Sequence, residues 1–507
     1  MTRAARWLPA GVAAAYLITV AVTAPHIVRL VYWDTDVAAP FVLAERLRGH
    51  GTVFIPHFAS WSVLWTLLAT RDLPGHRALW EALGYPFALA GAAAVGWATA
   101  RVAGRWAGVT AASVAIVVGP YVLRSQLTVI YHVLPPFTAA LLAAYLVTLA
   151  RRPRSRSSIL LALVVGLVAG VNAAGDGLTW PAAVAPFAVG AGVFYAATRR
   201  SEIAARAGVA LAAAITSGLA VPAVMQHLGY KVVGLELTHA QLSALAGNVR
   251  HLGRMVALVA GANYALPGGY PPEPLRLTIA IIAVIGVVVA FVAGVKALMQ
   301  RGDGLRRAYA CYWAASVALL SLSFVLTTNA VALGAGSANY LLSFVPAAGA
   351  GVALLASSSR RAQIATGIAV ALVGVSNIVG IAQGHADSPK GDIGEYKTQI
   401  VDALERDGVR RGYAGYWDAQ NLSWQSGMRL VIAPVESCGD GLCPFNFSTI
   451  ESWYEERPGR SFLIVDPTGS YVTAPPPIVA RATASHRFGQ LRVYVFPFDL
   501  ARYIHTS

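Results

Sequence analysis

The sequence predicts a mainly α-helical, polytopic membrane bundle followed by a small C-terminal α/β domain. Three observations lead there. Only 12% of the residues are charged and 56% are hydrophobic, whereas a soluble domain carries about 25% charged residues. Apolar runs of about 20 residues, the length that crosses hydrocarbon, recur as far as Gln383. After Gly384 the composition turns polar, and apolar stretches shrink to the length of soluble strands and helices. The domains are therefore placed at 1–384 and 385–507. The formal charge of +15 does not point to nucleic acid. The arginines stand in short clusters between apolar runs, the pattern that sets membrane orientation.

The first span is expected from Leu8 to Leu30. Arg3 and Arg6 place its start in the cytoplasm, and no small-residue cleavage site precedes Asp34, so it is taken as retained. Val37 to Arg48 has Val37, Phe41, Ala44 and Leu47 on one side. That spacing suits an interfacial helix with its apolar side toward lipid, ended by Gly49 and Gly51. Phe54 to Thr70 is aromatic but short and interrupted by His57, which suits an interfacial or re-entrant piece. Ten further spans follow: 78–100, 106–123, 137–150, 159–171, 178–198, 207–223, 275–298, 308–327, 340–357 and 364–383. The arginine clusters at 151–156, 199–206, 301–307 and 360–361 mark the cytoplasmic ends. About eleven spans with an outer C-terminus result, in a bacterial plasma membrane.

The outer loop 224–274 contains one helical stretch, His239 to Leu258, with Leu242, Leu245, Val249, Leu252 and Val256 on an apolar side. Arg250 and Arg254 are four apart and share a face, with His251 beside them. In the tail, helices are expected over 396–407 and 449–456, and strands over 412–417, 429–434, 461–466 and 491–498. Cys438 and Cys443 suit a disulfide in an oxidising compartment, the alternative being two free thiols. Cys311 lies in an apolar run and reads as an inert core residue.

The chemistry centres on Tyr32-Trp33-Asp34-Thr35-Asp36. A carboxylate beside hydrocarbon is costly and is kept for a reason. Asp34 and Asp36 follow the first span, and Asp176 lies in a later outer loop. Helix packing could bring these acids to one cavity, where a carboxylate takes a proton from a sugar hydroxyl as it attacks an anomeric carbon. The competing reading is structural: Asp is a favoured N-cap, and Asp176 between two glycines suits a turn. An outward-facing transferase would draw its sugar from a polyprenyl phosphate. Arg250, Arg254 and His251 suit that phosphate, or equally the headgroups of anionic membrane lipids. His57, Tyr131 and His132 are possible site-lining residues. Lone histidines beside aromatics are more often hydrogen-bonded structural groups.

The chain resembles the GT-C type of membrane glycosyltransferase, including bacterial mannosyl- and arabinosyltransferases. The resemblance rests on the Asp34-Thr35-Asp36 motif directly after span one, the helix Pro40 to Gly49, and Ala174-Gly175-Asp176-Gly177-Leu178. Asn339-Tyr340-Leu341-Leu342 is similar to the family's Arg-Tyr-Leu-Leu, with Asn in place of Arg. Gly415-Tyr416-Trp417-Asp418 and Arg429 to Pro434 look like the tails of bacterial relatives. The resemblance implies direct displacement with inversion, from a polyprenyl-phosphate sugar to a cell-envelope glycan, lipid or protein. Asp36 or Asp34 would be the base. The other, with Asp176, would orient the acceptor or a divalent cation; no metal is assigned. The rival classes are a flippase or transporter of lipid-linked sugars, a glycan polymerase or ligase, and a non-catalytic scaffold.

Overall fold

A computed structural model describes residues 7–32, 34–46, 51–56, 74–77, 81, 83–128, 132–151, 157–233, 238–262, 274–299, 303–327, 334–386, 394–469, 471–473 and 476–504. Two compact units emerge. One holds Met1–Pro25, Ala82–Val221 and Leu235–Ala386. The other holds His26–Glu81, Pro222–Gly234 and Asp387–Ser507.

In the first unit the helices are α1 (Leu8–Val31, whose last turns pass into the second unit), α3 (Gly84–Ala103), α4 (Arg105–Ile116), α5 (Pro120–Leu127), α6 (Leu134–Arg151) and α7 (Ser157–Gly175). They continue with α8 (Ala185–Thr198), α9 (Ser201–His227), α10 (Leu245–Val259), α11 (Pro274–Met299), α12 (Gly304–Leu326), α13 (Phe344–Ala356) and α14 (Arg360–Ala382). A helix thus stands at each of the eleven expected positions. Seven are long and apolar enough to cross a membrane, or eight if the bent pair α4 and α5 is one span. The chain is a multi-pass membrane protein by that criterion, with a count below the expected eleven among the described residues. Many of their large apolar side chains, such as Ile18, Leu160 and Ile285, are exposed, as a surface facing lipid requires. Small residues let the backbones approach: a Cβ at Gly166 would meet the Ala210 carbonyl at 2.3 Å, and one at Gly170 the Ala214 carbonyl at 2.2 Å.

The α4–α5 bend of 83° turns at Gly119. A Cβ there would come within 2.5 Å of Gly261, which itself holds φ +105°. Beside this bend, α4, α10, α11, α13 and α14 line a half-open apolar cavity of about 500 Å³. Val117, Val259, Ile282, Phe344 and Val370 represent its walls, and Asn377 is a polar group among them. Buried Cys311 matches the expected inert thiol.

The loop after α9 carries more structure than expected. Strand β2 (Tyr230–Val233) pairs in parallel with β1 (Val53–Pro56), which meets β6 (Thr449–Ile450) antiparallel. Phe54 to Pro56 therefore lie in a strand, not an interfacial piece; the remainder of that expected piece, with His57, lies outside the described residues. The helix expected over 239–258 is α10, preceded by a short turn of 3₁₀-helix at Leu242–Ala244. Its predicted apolar side needs correcting. Of the five expected residues Val256 is buried and Leu245 and Leu252 half-buried, but Leu242 and Val249 are 87% and 56% exposed, and Asn248, Met255, Leu258 and Val259 are buried as well. The Asn248 amide donates to the Val325 carbonyl at 2.7 Å, so a polar residue is satisfied inside.

In the second unit, a six-stranded mixed sheet has the order β5-β4-β3-β7-β9-β8. These are β3 (Arg411–Ala414), β4 (Val431–Cys438), β5 (Gly441–Pro444), β7 (Ser461–Val465), β8 (Ala484–Phe488) and β9 (Leu491–Phe496). β3, β4 and β7 are parallel and central. Helices α15 (Gly394–Arg406) and α16 (Tyr416–Gln425) accompany them. The aliphatic core runs from Ile400 and Leu404 to Ile432, Phe462, Ile464 and Val493. Four expected elements match. The helix at 449–456 is instead strand β6 and a 3₁₀ turn, Glu451–Tyr454. Helix α16 replaces the end of the expected strand 412–417, because Gly415 stops β3 and the chain turns at once into a helix. Cys438 and Cys443 form a disulfide across the β4–β5 hairpin.

Helix α2 (Thr35–Glu45) also belongs to this unit, and it corrects a second expectation. Thr35 and Val37 to Leu43 are all buried, so its apolar side is covered by protein rather than lipid. Phe41 packs on Trp424 of α16 with ring centroids 5.2 Å apart, and Tyr32 on the same indole at 6.0 Å. The Trp424 Nε1–H donates to Glu81 at 2.9 Å. Arg77 pairs with that carboxylate at 2.5 Å and lies over the indole at 5.0 Å. Trp424 and Trp453 are buried, whereas Trp417 is exposed.

Candidate functional site

The acid pair is resolved into two different jobs by the geometry of α2. Asp34 is the N-cap in extended conformation, and its Oδ1 accepts from the Asp36 N–H at 3.3 Å. This is the capping role the sequence left open. Asp36 stands in the first helical turn, where the exposed N–H groups favour a carboxylate. It is half-buried, and its Oδ1 accepts a 2.7 Å hydrogen bond from the Tyr416 hydroxyl. Thr35 between them is buried and donates to the Trp417 carbonyl at 2.9 Å. The acid motif is thus fastened to the first turn of α16 through adjacent residues, all within one unit.

Tyr416 is central to a group of rings. Phe447, Trp417, Phe445 and Tyr471 lie 5.2, 5.3, 5.4 and 6.1 Å from it. Burial, then the charges of Asp36 and Glu436, push the Tyr471 phenol above its ordinary range. Of these two, Asp36 contacts the ring system directly, through the Tyr416 hydroxyl. Tyr416 stands in the Gly415-Tyr416-Trp417-Asp418 motif, which by itself assigns it no role. The signal available was its place at the carboxyl end of a parallel strand, where α/β sheets put functional side chains.

In the first unit, Asp176 and His132 come together. His132 Nδ1 and Asp176 Oδ2 are 2.6 Å apart, and both side chains are buried. The other oxygen of Asp176 accepts from the Leu178 N–H at 3.1 Å, the turn role considered from sequence. Both carboxylate oxygens are occupied, so Asp176 holds His132 and the following turn. His132 itself has φ +52°, a left-handed conformation that costs a non-glycine residue energy and is found at sites that need it. Its ring meets Tyr340 edge-on at 4.9 Å.

Tyr340 lies in a 3₁₀ segment, Gly334–Leu341. Side chains three apart on such a helix are eclipsed. Ser337 therefore shares the face of Tyr340, and it bonds His251 Nε2 at 2.9 Å. Both histidines are gathered along one edge of this segment. Asn339, which stands where the resembling family has Arg, is buried and accepts from the Ser125 hydroxyl at 2.7 Å. His251 also stacks on Phe324. Arg250 and Arg254 are exposed on α10 and form no ion pair among the described residues. The far end of the same helix, Val256 and Val259, lines the apolar cavity. Tyr131 and His57 lie outside the described residues. No group of three or more His, Cys, Asp or Glu that could hold a metal occurs among the described residues.

No protein-family model matches the chain, and no curated protein matches it. Solved structures do. The Archaeoglobus fulgidus oligosaccharyltransferase in complex with Zn and sulfate aligns with TM-score 0.44 and 10% identity, over 79% of this chain and 58% of that one. The same enzyme tethered to an acceptor peptide containing the NVT sequon aligns with TM-score 0.41 and 10% identity, over 79% and 59%. The chain thus spans less than two thirds of the length of the structures it is similar to.

Proposed function

We propose that this protein is a membrane glycosyltransferase that moves a sugar from a polyprenyl phosphate to a cell-envelope glycan, lipid or protein. The reaction would run on the outer face of a bacterial plasma membrane, with the N-terminus cytoplasmic and the C-terminal domain exoplasmic. The observation that carries the reading is Asp36: a half-buried carboxylate at a helix start, held by the Tyr416 hydroxyl at 2.7 Å. Asp36 is the base and takes the proton of the acceptor hydroxyl. The acceptor oxygen attacks the anomeric carbon, the bond from that carbon to the phosphate oxygen breaks, and polyprenyl phosphate leaves with its electron pair. Configuration inverts in this single displacement. Asp34 caps the helix that presents the base.

A face for the donor phosphate is proposed on α10, within the first unit. Arg250, Arg254 and His251 stand within one turn or so, and a phosphate is matched by guanidinium donors. Further along the helix begins the apolar cavity of about 500 Å³. A cavity of about 150 Å³ takes one six-carbon ring, so this space suits about three isoprene units of a lipid tail. A hexosyl or pentosyl donor is compatible with this arrangement.

The test is a panel of polyprenyl-phosphate sugars offered to the purified chain, with lipid-linked sugar consumption as the readout. Wild type turns over one of them, and Asp36→Asn lowers the rate by about a hundredfold or more. Lipid-linked sugar translocation without transfer, unchanged in Asp36→Asn, refutes the proposal.

A further inference from the structure

The ring system around Tyr416 lies outside the aliphatic core of its domain. None of Tyr416, Trp417, Phe445, Phe447 or Tyr471 belongs to the core that packs on the sheet. Trp417 is 36% exposed, and Phe445, Phe447 and Tyr471 are half-buried. Four aromatic residues kept partly in water around the buried Tyr416 are costly unless their faces are used.

Their position in the sheet has a meaning of its own. β3 is followed by α16 and then β4 on one side, while β7 lies on the other side of β3. The strand order therefore reverses between β3 and β7. In open α/β sheets ligands bind beyond the carboxyl ends of the strands at such a point. Tyr416 follows the end of β3, and Tyr471 follows β7, its carbonyl accepting from the Ser437 N–H of β4 at 3.1 Å. Phe445 and Tyr471 approach to 4.4 Å between centroids. Asp36 accepts from the Tyr416 hydroxyl at this edge, and Glu436 directly precedes Ser437, whose N–H bonds the Tyr471 carbonyl.

From this arrangement we infer that the edge is a saccharide-binding subsite, which holds the acceptor glycan by ring stacking and by hydrogen bonds to the two carboxylates. The chemistry favours a sugar over a peptide or a plain apolar ligand. A pyranose or furanose offers a C–H face to the electron-rich face of an aromatic ring and hydroxyl donors at its rim. Acceptor-only carboxylates beside aromatic faces satisfy both at once. Trp417 and Phe447 supply the stacking faces, and Asp36 and Glu436 accept the hydroxyls. The inference rests on the transfer reading for its choice of acceptor, but binding itself is measurable without a donor.

The full-length chain in detergent is applied to an array of neutral and acidic oligosaccharides, and the strongest hit is titrated by tryptophan fluorescence. Trp417→Ala and Phe447→Leu each weaken binding by about tenfold, with thermal midpoints near that of wild type. Phe447→Tyr keeps the ring and retains binding. Absence of any oligosaccharide binding, binding unmoved by both ring deletions, or preference for aromatic peptides overturns the inference. Loss of transfer in the donor panel with saccharide binding intact counts against the enzymatic reading alone. Transfer that persists in Trp417→Ala and Phe447→Leu at unchanged acceptor KM counts against this subsite alone.

Discussion

Changing Tyr416 to Phe removes one hydroxyl and leaves the ring in place among neighbours 5.2–5.4 Å away. What is lost is the 2.7 Å bond to Asp36. A hydrogen bond to a charged group contributes about 1.5–3 kcal/mol net, and the half-buried setting of Asp36 puts this one near the lower end. A double-mutant cycle of Tyr416→Phe and Asp36→Ala isolates it, because the helix-start contribution of Asp36 cancels between the two arms. The expected coupling is about 1.5 kcal/mol, read from urea unfolding of the detergent-solubilised chain followed by tryptophan fluorescence. A coupling below about 0.5 kcal/mol, the ordinary error of additivity, would refute the claim that the tail domain holds this carboxylate.

Three further outcomes are expected. Asp176→Ala leaves the His132 ring without its buried hydrogen-bond partner and lowers stability by about 1–3 kcal/mol; adding His132→Gly, which relaxes the positive φ, gives a loss smaller than the sum of the singles in the same unfolding assay. Replacing Cys438 and Cys443 by Ser opens a loop with sequence separation 5 and costs about 2 kcal/mol from chain entropy, checked against wild type under non-reducing conditions. Burial drives the Tyr413 and Tyr454 phenols above their ordinary value. Below pH of about 10 both states keep these protons and stability is full. As pH rises further the unfolded chain ionises first, so stability falls by about 1.4 kcal/mol per pH unit for each tyrosine, and Tyr454→Phe makes the decline shallower.

Hydrophobic run length and arginine spacing were enough to locate a helix at every expected span, since a segment in lipid must satisfy its own backbone and can do so only as a helix. Of the two readings left open for Cys438 and Cys443, the disulfide is the one the structure shows. Period alone failed for α10. A helix that meets both protein and lipid has two apolar neighbours, so Leu242 and Val249 are exposed while Asn248 is buried. It failed again for α2, where the pattern of a lipid-lying helix describes one covered by Trp424.

What the residues determined by themselves was local: which segments are apolar enough to span, where a helix is capped, and that an Asp-Thr-Asp follows the first span. Tertiary structure decided which acid caps and which is held by a phenol from a residue 380 positions away. It also decided that Asp176 serves His132, and that Ser337 and Tyr340 bring two histidines to one edge. The reason is physical. A carboxylate's role depends on which donors reach its two oxygens, and those donors arrive from distant segments that no sequence period connects.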